Sequence, residues 1–352
     1  MERAIVERES NLPFLGLPAA AIRGRNPITL THNSVTIAAG ALAARGLLRQ
    51  LRPAALLGTG GYVCVPVFLA ARSLGIPSII YLPDVVPGMA VWMLARVATQ
   101  VACTTITSRP HLEQPVGRLD VVETGYPVRK GLFDQDRASC RAAFGIDDDL
   151  PVLLVYGGSR GARSINQAIK ALLPDLLPLC RIIHVCGREG DEDWLHEAAA
   201  ALDAPLQARY QLYPYLESGH PLGDRVDQPE RTMVRALVAA DIAVCRSGAS
   251  ILAELPAAGL ASVLVPYPYV HQDENADYLV EHGAAVKVAD HAMLPSDGSP
   301  RDGSLFAAIH HLIIHKTERQ HMTERSRALA RPDAAERLAN ALLALARRNE
   351  GW

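Results

Sequence analysis

The chain alternates short apolar segments with longer segments of helical periodicity, and this alternation constrains its fold more than any other feature. It runs in two series, which a polar joint at residues 130–138 separates. A helical segment between two apolar strands is typical of a βαβ unit, in which the strands lie parallel. The sequence therefore predicts two doubly wound, Rossmann-like α/β domains. The predicted strands are PAALLG, SIIYL, VACTT and LDVVET in the first series and VLLVY, RIIHVC, YQLY, DIAVC, SVLVPY and AAVKVA in the second.

Length and pattern divide the chain into three parts. With 352 residues it exceeds one typical core. We place the first domain over residues 1–135 and the second over residues 136–330. The segment from Ser304 onward is helical in pattern, and we expect residues 331–352 to form a helix that packs back on the first domain. A polar loop rich in Pro and Gly is predicted over residues 217–232.

Composition and spacing exclude several classes of protein. A formal net charge of −2 gives no global attraction to nucleic acid, so no nucleic-acid partner is expected. The six cysteines contain no CxxC pair, which favours reduced core residues in a cytosolic protein. The sequence shows neither a signal peptide nor an apolar stretch of membrane-spanning length. It also lacks a GxxxxGK[ST] P-loop and a GxGxxG dinucleotide fingerprint. The segment IHHLIIH lacks the spacing of a metal site, so we expect no metal and no cofactor.

Two predicted strands end in glycine-rich turns. GTGGY places Gly58, Gly60 and Gly61 after PAALLG, and GGSRGAR places Gly157 and Gly158 after VLLVY. Glycine lets backbone N–H groups approach a ligand closely, and the N-terminus of the following helix favours anions. A tight turn alone explains either motif equally well, so each turn is a phosphate cradle or simply a turn.

Polar side chains follow two further strands of the second series. After DIAVC, the turn RSGAS opens a helix that carries Glu254 near its start. A carboxylate there either accepts hydrogen bonds from ribose hydroxyls or only complements the helix dipole. After SVLVPY come Gln272 and Asn275, whose amides can bond to sugar hydroxyls. Because the carboxyl ends of parallel strands meet at one edge of a sheet, these residues together predict a nucleotide-sugar site.

Several segments, in order along the chain, resemble the MurG family of bacterial glycosyltransferases. The resemblance implies a GT-B fold, with two Rossmann-like domains beside a central cleft, an acceptor-binding first domain and a donor-binding second domain. It also implies an inverting, metal-independent transfer of N-acetylglucosamine from UDP-N-acetylglucosamine to the muramyl-pentapeptide polyprenyl-diphosphate lipid of peptidoglycan synthesis. The segments are LLGTGGYVCVPVFLAARSLGIPSIIY, TGYPVR, GGSRGARSIN, CRSGASILAELPAAGLASVLVPYP, HQDENA and ARPDAAERLANAL.

The resemblance also implies which residues bind the donor. Arg129 and Ser159 match contacts to the nucleotide and its diphosphate. Glu254 matches the ribose-binding glutamate, Gln272 a glutamine that contacts the sugar, and Leu216 a position whose backbone meets uracil. An arginine and helix N-terminal amides can stabilise the charge of the leaving UDP in place of a metal. The implied donor-binding residues are Arg129, Ser159, Asn166, Leu216, Glu254 and Gln272.

The chain departs from the family at three places. It has no counterpart of the family's first strand, GGTGGH-like loop and helix, and the histidine of that loop is the family's candidate base, so we assign no catalytic residue. We expect Met1 to be an internal methionine of a longer chain, the alternative being a domain that lacks its central strand and exposes strand edges. Where relatives have HEQN, this chain has YLPD, which places Leu82 and Asp84 at acceptor positions, and Val91 replaces a further asparagine. The loop at 217–232 is longer than expected.

The acceptor half therefore departs further from the family than the donor half does. We assign Tyr62 and Asp84 to the acceptor side. The acceptor is either the muramyl-pentapeptide lipid or another lipid such as diacylglycerol, and a third alternative is a non-catalytic protein that only binds a nucleotide sugar. The implied location is the cytoplasmic face of the bacterial cell membrane, with peripheral attachment. Val65, Phe68, Val91 and Trp92 would contact either that membrane or the domain core.

Overall fold

The computed structural model of the protein describes residues 3, 6–7, 10–20, 27–116, 119–158, 160–217, 231–270 and 272–349. The chain divides into two compact units, and each has its own parallel sheet. This confirms the predicted α/β class with two Rossmann-like domains. Most of the polar loop expected over 217–232 lies outside the described residues. Unit 1 comprises Met1–Pro127 and Asp333–Trp352, and unit 2 comprises Val128–Pro332.

Unit 1 is built on a four-stranded parallel sheet. Its strands are β1 (Leu56–Gly58), β2 (Ser78–Leu82), β3 (Gln100–Cys103) and β4 (Val121–Glu123), and they lie in the order β1-β2-β3-β4. Each strand coincides with an apolar segment of the first series, which confirms those predictions. The helices between and before them are α1 (Pro27–Leu51), α2 (Cys64–Ser73), α3 (Met89–Leu94) and α4 (Arg109–Val116).

The side chains of β2 alternate between the two faces of this sheet. Ile80 and Leu82 pack in one cluster with Phe68 of α2, whereas Ile79 and Tyr81 pack in a second cluster on the opposite face. All residues of β2 are buried, because both faces are covered. A parallel strand that is buried on both sides reads as a continuous apolar run, as SIIYL does.

The apolar residues considered for membrane contact mostly belong to the core of unit 1. Val65, Phe68 and Val91 are buried in the cluster that contains Ile80 and Leu82. The core interpretation is therefore confirmed for these three side chains. Among the described helices, none is long and apolar enough to cross a bilayer.

Unit 2 is built on a six-stranded parallel sheet. The strands are β5 (Val152–Tyr156), β6 (Arg181–Val185), β7 (Tyr210–Tyr213), β8 (Ile242–Cys245), β9 (Ala261–Leu264) and β10 (Ala285–Lys287), in the order β10-β9-β8-β5-β6-β7. All of them were predicted. The helices are α5 (Gly131–Asp134), α6 (Arg137–Ala143), α7 (Arg163–Leu176), α8 (Glu192–Ala200), α9 (Ala204–Gln207), α10 (Met233–Ala239), α11 (Ile251–Ala258), α12 (Asp273–Glu281), α13 (Ser304–Ile314) and α14 (Lys316–Ala328).

The border between the units lies between Pro127 and Val128, before the expected position at residue 135. The reason is the packing of α5. Leu132 is buried, and a Cβ on Gly131 would lie 3.3 Å from the Val234 side chain of α10. The residues that read as a polar joint thus begin the packed part of unit 2.

The last helix, α15 (Ala334–Asn349), belongs to unit 1. Its Leu338 and Leu345 are buried against Ile79, Tyr81 and Ala102 of the sheet. The helix therefore covers the face of unit 1 that lies opposite the Phe68 cluster.

Candidate functional site

The order of strands in unit 2 locates its binding crevice. Successive strands run outward from β5 through β6 to β7 on one side, and from β8 through β9 to β10 on the other. The order reverses between β5 and β8. In open α/β sheets ligands bind at the carboxyl ends of the strands beside such a switch point. The predicted donor residues after β5, β8 and β9 lie at this end of the sheet.

The glycine turn after β5 combines close chain packing with one open position. A Cβ on Gly157 would lie 2.3 Å from the backbone nitrogen of Ala162, so only glycine fits there. Gly158 has φ of +83°, and no described atom outside its chain neighbours lies within 4 Å of the position of a Cβ. Its backbone is therefore the part of the turn that a ligand can approach. Ser159 lies outside the described residues.

Asn166, in the first turn of α7, bonds through its side chain to β6 and to the turn that follows β6. Its side chain is 1% exposed. Its Nδ2 donates to Cys186 O at 2.9 Å and to Asp191 Oδ2 at 2.8 Å, and its Oδ1 lies 2.9 Å from His184 Nε2. Both amide protons are thereby engaged within the protein. The expectation of a direct donor contact by this side chain is corrected to a supporting role, since burial leaves it no face toward the crevice.

Glu254 lies in the first turn of α11, at the carboxyl end of β8. Its side chain is half-buried and accepts a hydrogen bond from Ser250 Oγ at 2.9 Å. Burial raises the pKa of the Glu254 carboxyl, whereas the Ser250 hydroxyl and the positive charge of Arg129 lower it. Arg129 is exposed. The structure thus brings together an acceptor for hydroxyl groups and a cation for a phosphate.

Tyr156, the last residue of β5, is buried close to the Glu254 carboxylate. Burial raises the pKa of its phenol, and the adjacent Cys245 thiol and Glu254 carboxyl raise it further. Its hydroxyl is buried and has no partner in hydrogen-bond geometry among the described residues. An apolar strand predicts that the ring of its tyrosine is buried, but it does not predict whether the hydroxyl finds a hydrogen-bond partner.

Gln272 is fixed in the turn between β9 and α12. Its Oε1 accepts a hydrogen bond from the Tyr267 backbone N–H at 3.0 Å, and its backbone oxygen accepts one from Ser247 Oγ at 2.8 Å. Its Nε2 lies 3.8 Å from the place where Gly248 would carry a Cβ. The side-chain amide therefore reaches the turn after β8. Asn275 is buried and donates from Nδ2 to Ser247 O at 3.0 Å, which makes it a support of that same turn.

Arg246 is a residue of the site that the motif analysis passed over. It follows β8 directly, and its guanidinium donates to Pro266 O at 3.2 Å, to Asp290 Oδ2 at 2.5 Å and to Ser164 Oγ at 2.6 Å. These bonds tie the turns after β8 and β9 to the first residues of α7. A charged residue immediately after a buried strand, in CRSGAS, was the available signal.

The segment after β7 places Leu216 with its side chain buried. A contact with a ligand through this side chain is therefore not available, and the contact expected from the resemblance is one through the backbone. Arg188, in the turn after β6, holds its guanidinium 4.0 Å from the Tyr215 ring centroid and 3.6 Å from Glu217 Oε1. Spacing along the sequence gave no sign of this cluster, because it joins residues from two different turns.

In unit 1, the turn after β1 requires glycine at three positions, because of one close contact and two positive φ angles. A Cβ on Gly58 would lie 2.4 Å from the Phe68 ring, and Gly60 and Gly61 have φ of +95° and +77°. Tyr62 follows and is 48% exposed. Cys64 Sγ donates to Gly60 O at 2.9 Å, which closes the turn.

In the YLPD segment at the end of β2, Tyr81 and Leu82 are buried in the core, whereas Asp84 is half-buried. Tyr81 is buried and donates from its hydroxyl to Gly125 O at 3.0 Å, and Leu82 is fully buried. Leu82, which stands where the family has its acceptor-side glutamate, is therefore a core residue of this chain. Asp84 is half-buried at the carboxyl end of β2, next to the end of β1 that carries Tyr62.

Comparison with known proteins gives consistent matches over nearly the whole chain. The Glycosyltransferase family 28 N-terminal domain matches residues 1–103, and the Glycosyltransferase family 28 C-terminal domain matches residues 228–338. A protein of Roseiflexus sp. is 58% identical over 96% of this chain and 80% of its own length. A protein of Desulforudis audaxviator is 36% identical over 98% of this chain and 88% of its own. Both are named UDP-N-acetylglucosamine–N-acetylmuramyl-(pentapeptide) pyrophosphoryl-undecaprenol N-acetylglucosamine transferase.

Solved structures agree with these matches. Acinetobacter baumannii MurG superposes with a TM-score of 0.69 at 26% identity, covering 98% of this chain and 88% of that one. A UDP-GlcNAc 2-epimerase from Neisseria meningitidis, bound to UDP-GlcNAc, superposes with a TM-score of 0.61 at 13% identity, over 92% of this chain and 83% of that one. The second likeness concerns the fold alone.

Proposed function

This chain belongs to the MurG family of glycosyltransferases, and from that premise we propose how its residues carry out the transfer. The substrates are UDP-N-acetylglucosamine and the muramyl-pentapeptide pyrophosphoryl-undecaprenol lipid. The product lipid carries the added N-acetylglucosamine and serves peptidoglycan synthesis. Unit 2 binds the donor and unit 1 binds the acceptor.

The observation that carries the donor assignment is the position of Glu254. Its half-buried carboxylate stands at the switch point of unit 2, with the Arg129 charge close enough to lower its pKa. The vicinal hydroxyls of a ribose donate to that carboxylate. The diphosphate then lies between Arg129 and the open backbone of Gly158, at the head of α7, where helix amides favour negative charge.

The reaction is a displacement at the anomeric carbon of the donor sugar. The acceptor hydroxyl oxygen forms a bond to that carbon, the bond to the β-phosphate oxygen breaks, and its electron pair leaves with UDP. The hydroxyl proton passes to a base, for which we assign no residue of this chain. Negative charge grows on the leaving diphosphate, and Arg129 with the backbone amides after β5 offsets it. Gln272, held by its oxygen, donates from Nε2 to the transferred sugar.

The acceptor side is proposed at the carboxyl ends of β1 and β2. The glycine turn that leads to Tyr62 and the half-buried Asp84 lie at neighbouring strand ends there. The acceptor carries a polyprenyl chain, whereas the donor is a water-soluble nucleotide sugar. The enzyme therefore works at the cytoplasmic face of the membrane, where both substrates can be reached.

Donor binding is tested with Glu254→Ala. Removing a charge-assisted acceptor of two hydroxyl groups should weaken UDP-N-acetylglucosamine binding by about tenfold to hundredfold. Isothermal titration calorimetry on the whole chain measures this. Glu318→Ala is the control, because Glu318 also lies in the first turn of its helix and is exposed on α14. Equal donor affinity in wild type and Glu254→Ala would overturn the assignment.

The acceptor is tested by transfer of labelled N-acetylglucosamine to two lipids. Label in the muramyl-pentapeptide lipid supports the proposal, whereas label only in diacylglycerol replaces its acceptor. Donor binding without transfer to either lipid would leave a nucleotide-sugar-binding protein in place of the proposed enzyme.

A further inference from the structure

The turn after β6 holds a second residue pair that the donor reaction does not use directly. The Arg188 guanidinium stacks on the Tyr215 ring at 4.0 Å and forms an ion pair with Glu217 at 3.6 Å. These two partners flank Leu216. One arginine thus contacts both neighbours of Leu216, the residue whose backbone the resemblance places at the base of the nucleotide.

The same turn is locked to the glycine turn after β5. A Cβ on Gly187 would lie 2.3 Å from Gly161 Cα, and a Cβ on Gly161 would lie 2.0 Å from Cys186 O. Both glycines have positive φ, of +92° and +83°. The two backbones thus pass each other too closely for a side chain at either glycine, so the two turns are packed directly on one another. The position of Arg188 is therefore fixed relative to the proposed diphosphate site.

The segment of residues 215–217, which Arg188 contacts, is also hydrogen-bonded to the residue at the start of α10. The Leu216 side chain is buried, and Glu217 O accepts a hydrogen bond from Met233 N at 2.9 Å. A short extended segment held in this way presents one backbone N–H and one C=O in a set direction. The edge of uracil offers an N–H donor beside carbonyl acceptors, so one backbone pair can match it. A purine has a larger outline and needs that segment to stand farther from the diphosphate.

We propose that Arg188 is a positioning residue that sets the distance between the diphosphate turn and the base-binding segment, and thereby selects a uridine nucleotide over a purine nucleotide. This inference rests on the proposed donor site. Arg188 itself touches neither the base nor the phosphates. It acts through Tyr215 and Glu217.

The test is the binding of UDP, ADP and inorganic pyrophosphate to the whole chain by calorimetry. In Arg188→Ala, loss of the stacking and the ion pair should weaken UDP binding by about tenfold. Pyrophosphate affinity should stay at the wild-type value, and the preference for UDP over ADP should fall. Arg188→Lys keeps the charge beside Glu217 but loses the flat stacking surface, so it should restore part of that preference.

Arg301→Ala is the matched control. Arg301 is 59% exposed against 63% for Arg188, pairs with Asp175 at 2.6 Å and covers the Phe306 ring at 5.8 Å. Its loss should change neither nucleotide affinity nor base preference. Where Arg188→Ala does not fold, Tyr215→Leu and Glu217→Gln each remove one half of the grip and should shift the preference in the same direction.

Two results would overturn the inference. An unchanged ratio of UDP to ADP affinity would show that Arg188 does not set base selection, and equal losses for UDP and pyrophosphate would show that it only supports the diphosphate turn. Failure of the proposed function looks different. In that case the wild-type chain would bind UDP no better than pyrophosphate, and Glu254→Ala would change nothing.

Discussion

At the scale of single residues, Tyr156 is a core residue that carries a buried hydroxyl next to Glu254 of the proposed donor site. Its hydroxyl is buried beside the Cys245 thiol and the Glu254 carboxyl, and no group among the described residues meets it in good hydrogen-bond geometry. A buried, unpaired polar group costs about 1–3 kcal/mol. Such a group is tolerated where the surrounding site restricts what can replace it.

We expect Tyr156→Phe to raise the free energy of unfolding by about 1 kcal/mol, since the variant removes the unpaired hydroxyl and keeps the ring. Urea unfolding measures this. Tyr210→Phe is the control, because the Tyr210 hydroxyl lies 2.9 Å from His184 Nδ1, and losing that bond should lower the stability. A Tyr156→Phe variant that is clearly less stable than wild type would mean that the hydroxyl has a partner.

The role proposed for Glu254 predicts that donor binding depends on pH. Burial raises the pKa of its carboxyl, so the folded protein without ligand retains a proton there that the unfolded chain has already lost. In that window stability falls as pH rises. Ribose hydroxyls donate to the carboxylate form, so UDP-N-acetylglucosamine affinity should rise with pH through the same window. Titrations from pH 4.5, the ordinary pKa of a glutamate, upward check this, and Glu254→Gln should bind weakly with little pH dependence. An equal pH dependence in Glu254→Gln would assign it to another group.

At the scale of elements, the turns after the strands carry the site while buried networks hold the turns. Asn166 of α7, His184 of β6 and Asp191 before α8 form one hydrogen-bonded group at the carboxyl end of β6. Arg246 does the same for the turns after β8 and β9. Both networks connect elements that are distant along the chain.

His184 should make this network sensitive to acid. Burial lowers its pKa from 6.5 to about 3, so below pH 6.5 the unfolded chain gains a proton that the folded protein does not. Stability is complete above that pH and falls as pH drops, by up to about 1.4 kcal/mol per unit. Urea unfolding from pH 7 to about pH 5 should show a smaller slope in His184→Gln than in wild type. The exposed His196→Gln should keep the wild-type slope; a slope unchanged in His184→Gln would contradict the prediction.

The sequence predicts the positions of these elements better than the partners of their side chains. Every strand lay at its apolar run, and the reversal between β5 and β8 brings Glu254 to the expected crevice. The role of Asn166 was not predictable in the same way. Whether an amide faces a ligand or a neighbouring carbonyl depends on Cys186 and Asp191, which reach it only in the folded chain. The grip of Arg188 on Tyr215 likewise joins two turns that no sequence spacing relates.

At the scale of the whole molecule, the chain forms two cores, and its last residues belong to the core that its first residues form. Unit 2 closes on its own sheet, whereas α15 completes unit 1 from the far end of the sequence. The stability of unit 1 therefore depends on residues beyond Pro332. The proposed donor site depends only on residues of unit 2.

This division predicts two separate responses in thermal unfolding. Leu345 of α15 is 4% exposed in the unit 1 core, and its truncation to alanine should cost about 2–5 kcal/mol. Leu343 on the same helix is 51% exposed, so Leu343→Ala should change little. UDP-N-acetylglucosamine at a hundred times its Kd should stabilise unit 2 by about 2.7 kcal/mol. Differential scanning calorimetry should therefore show Leu345→Ala lowering one transition while the ligand raises the other. A single transition that both changes move together would show that the two units unfold as one body, because each core would then depend on the other.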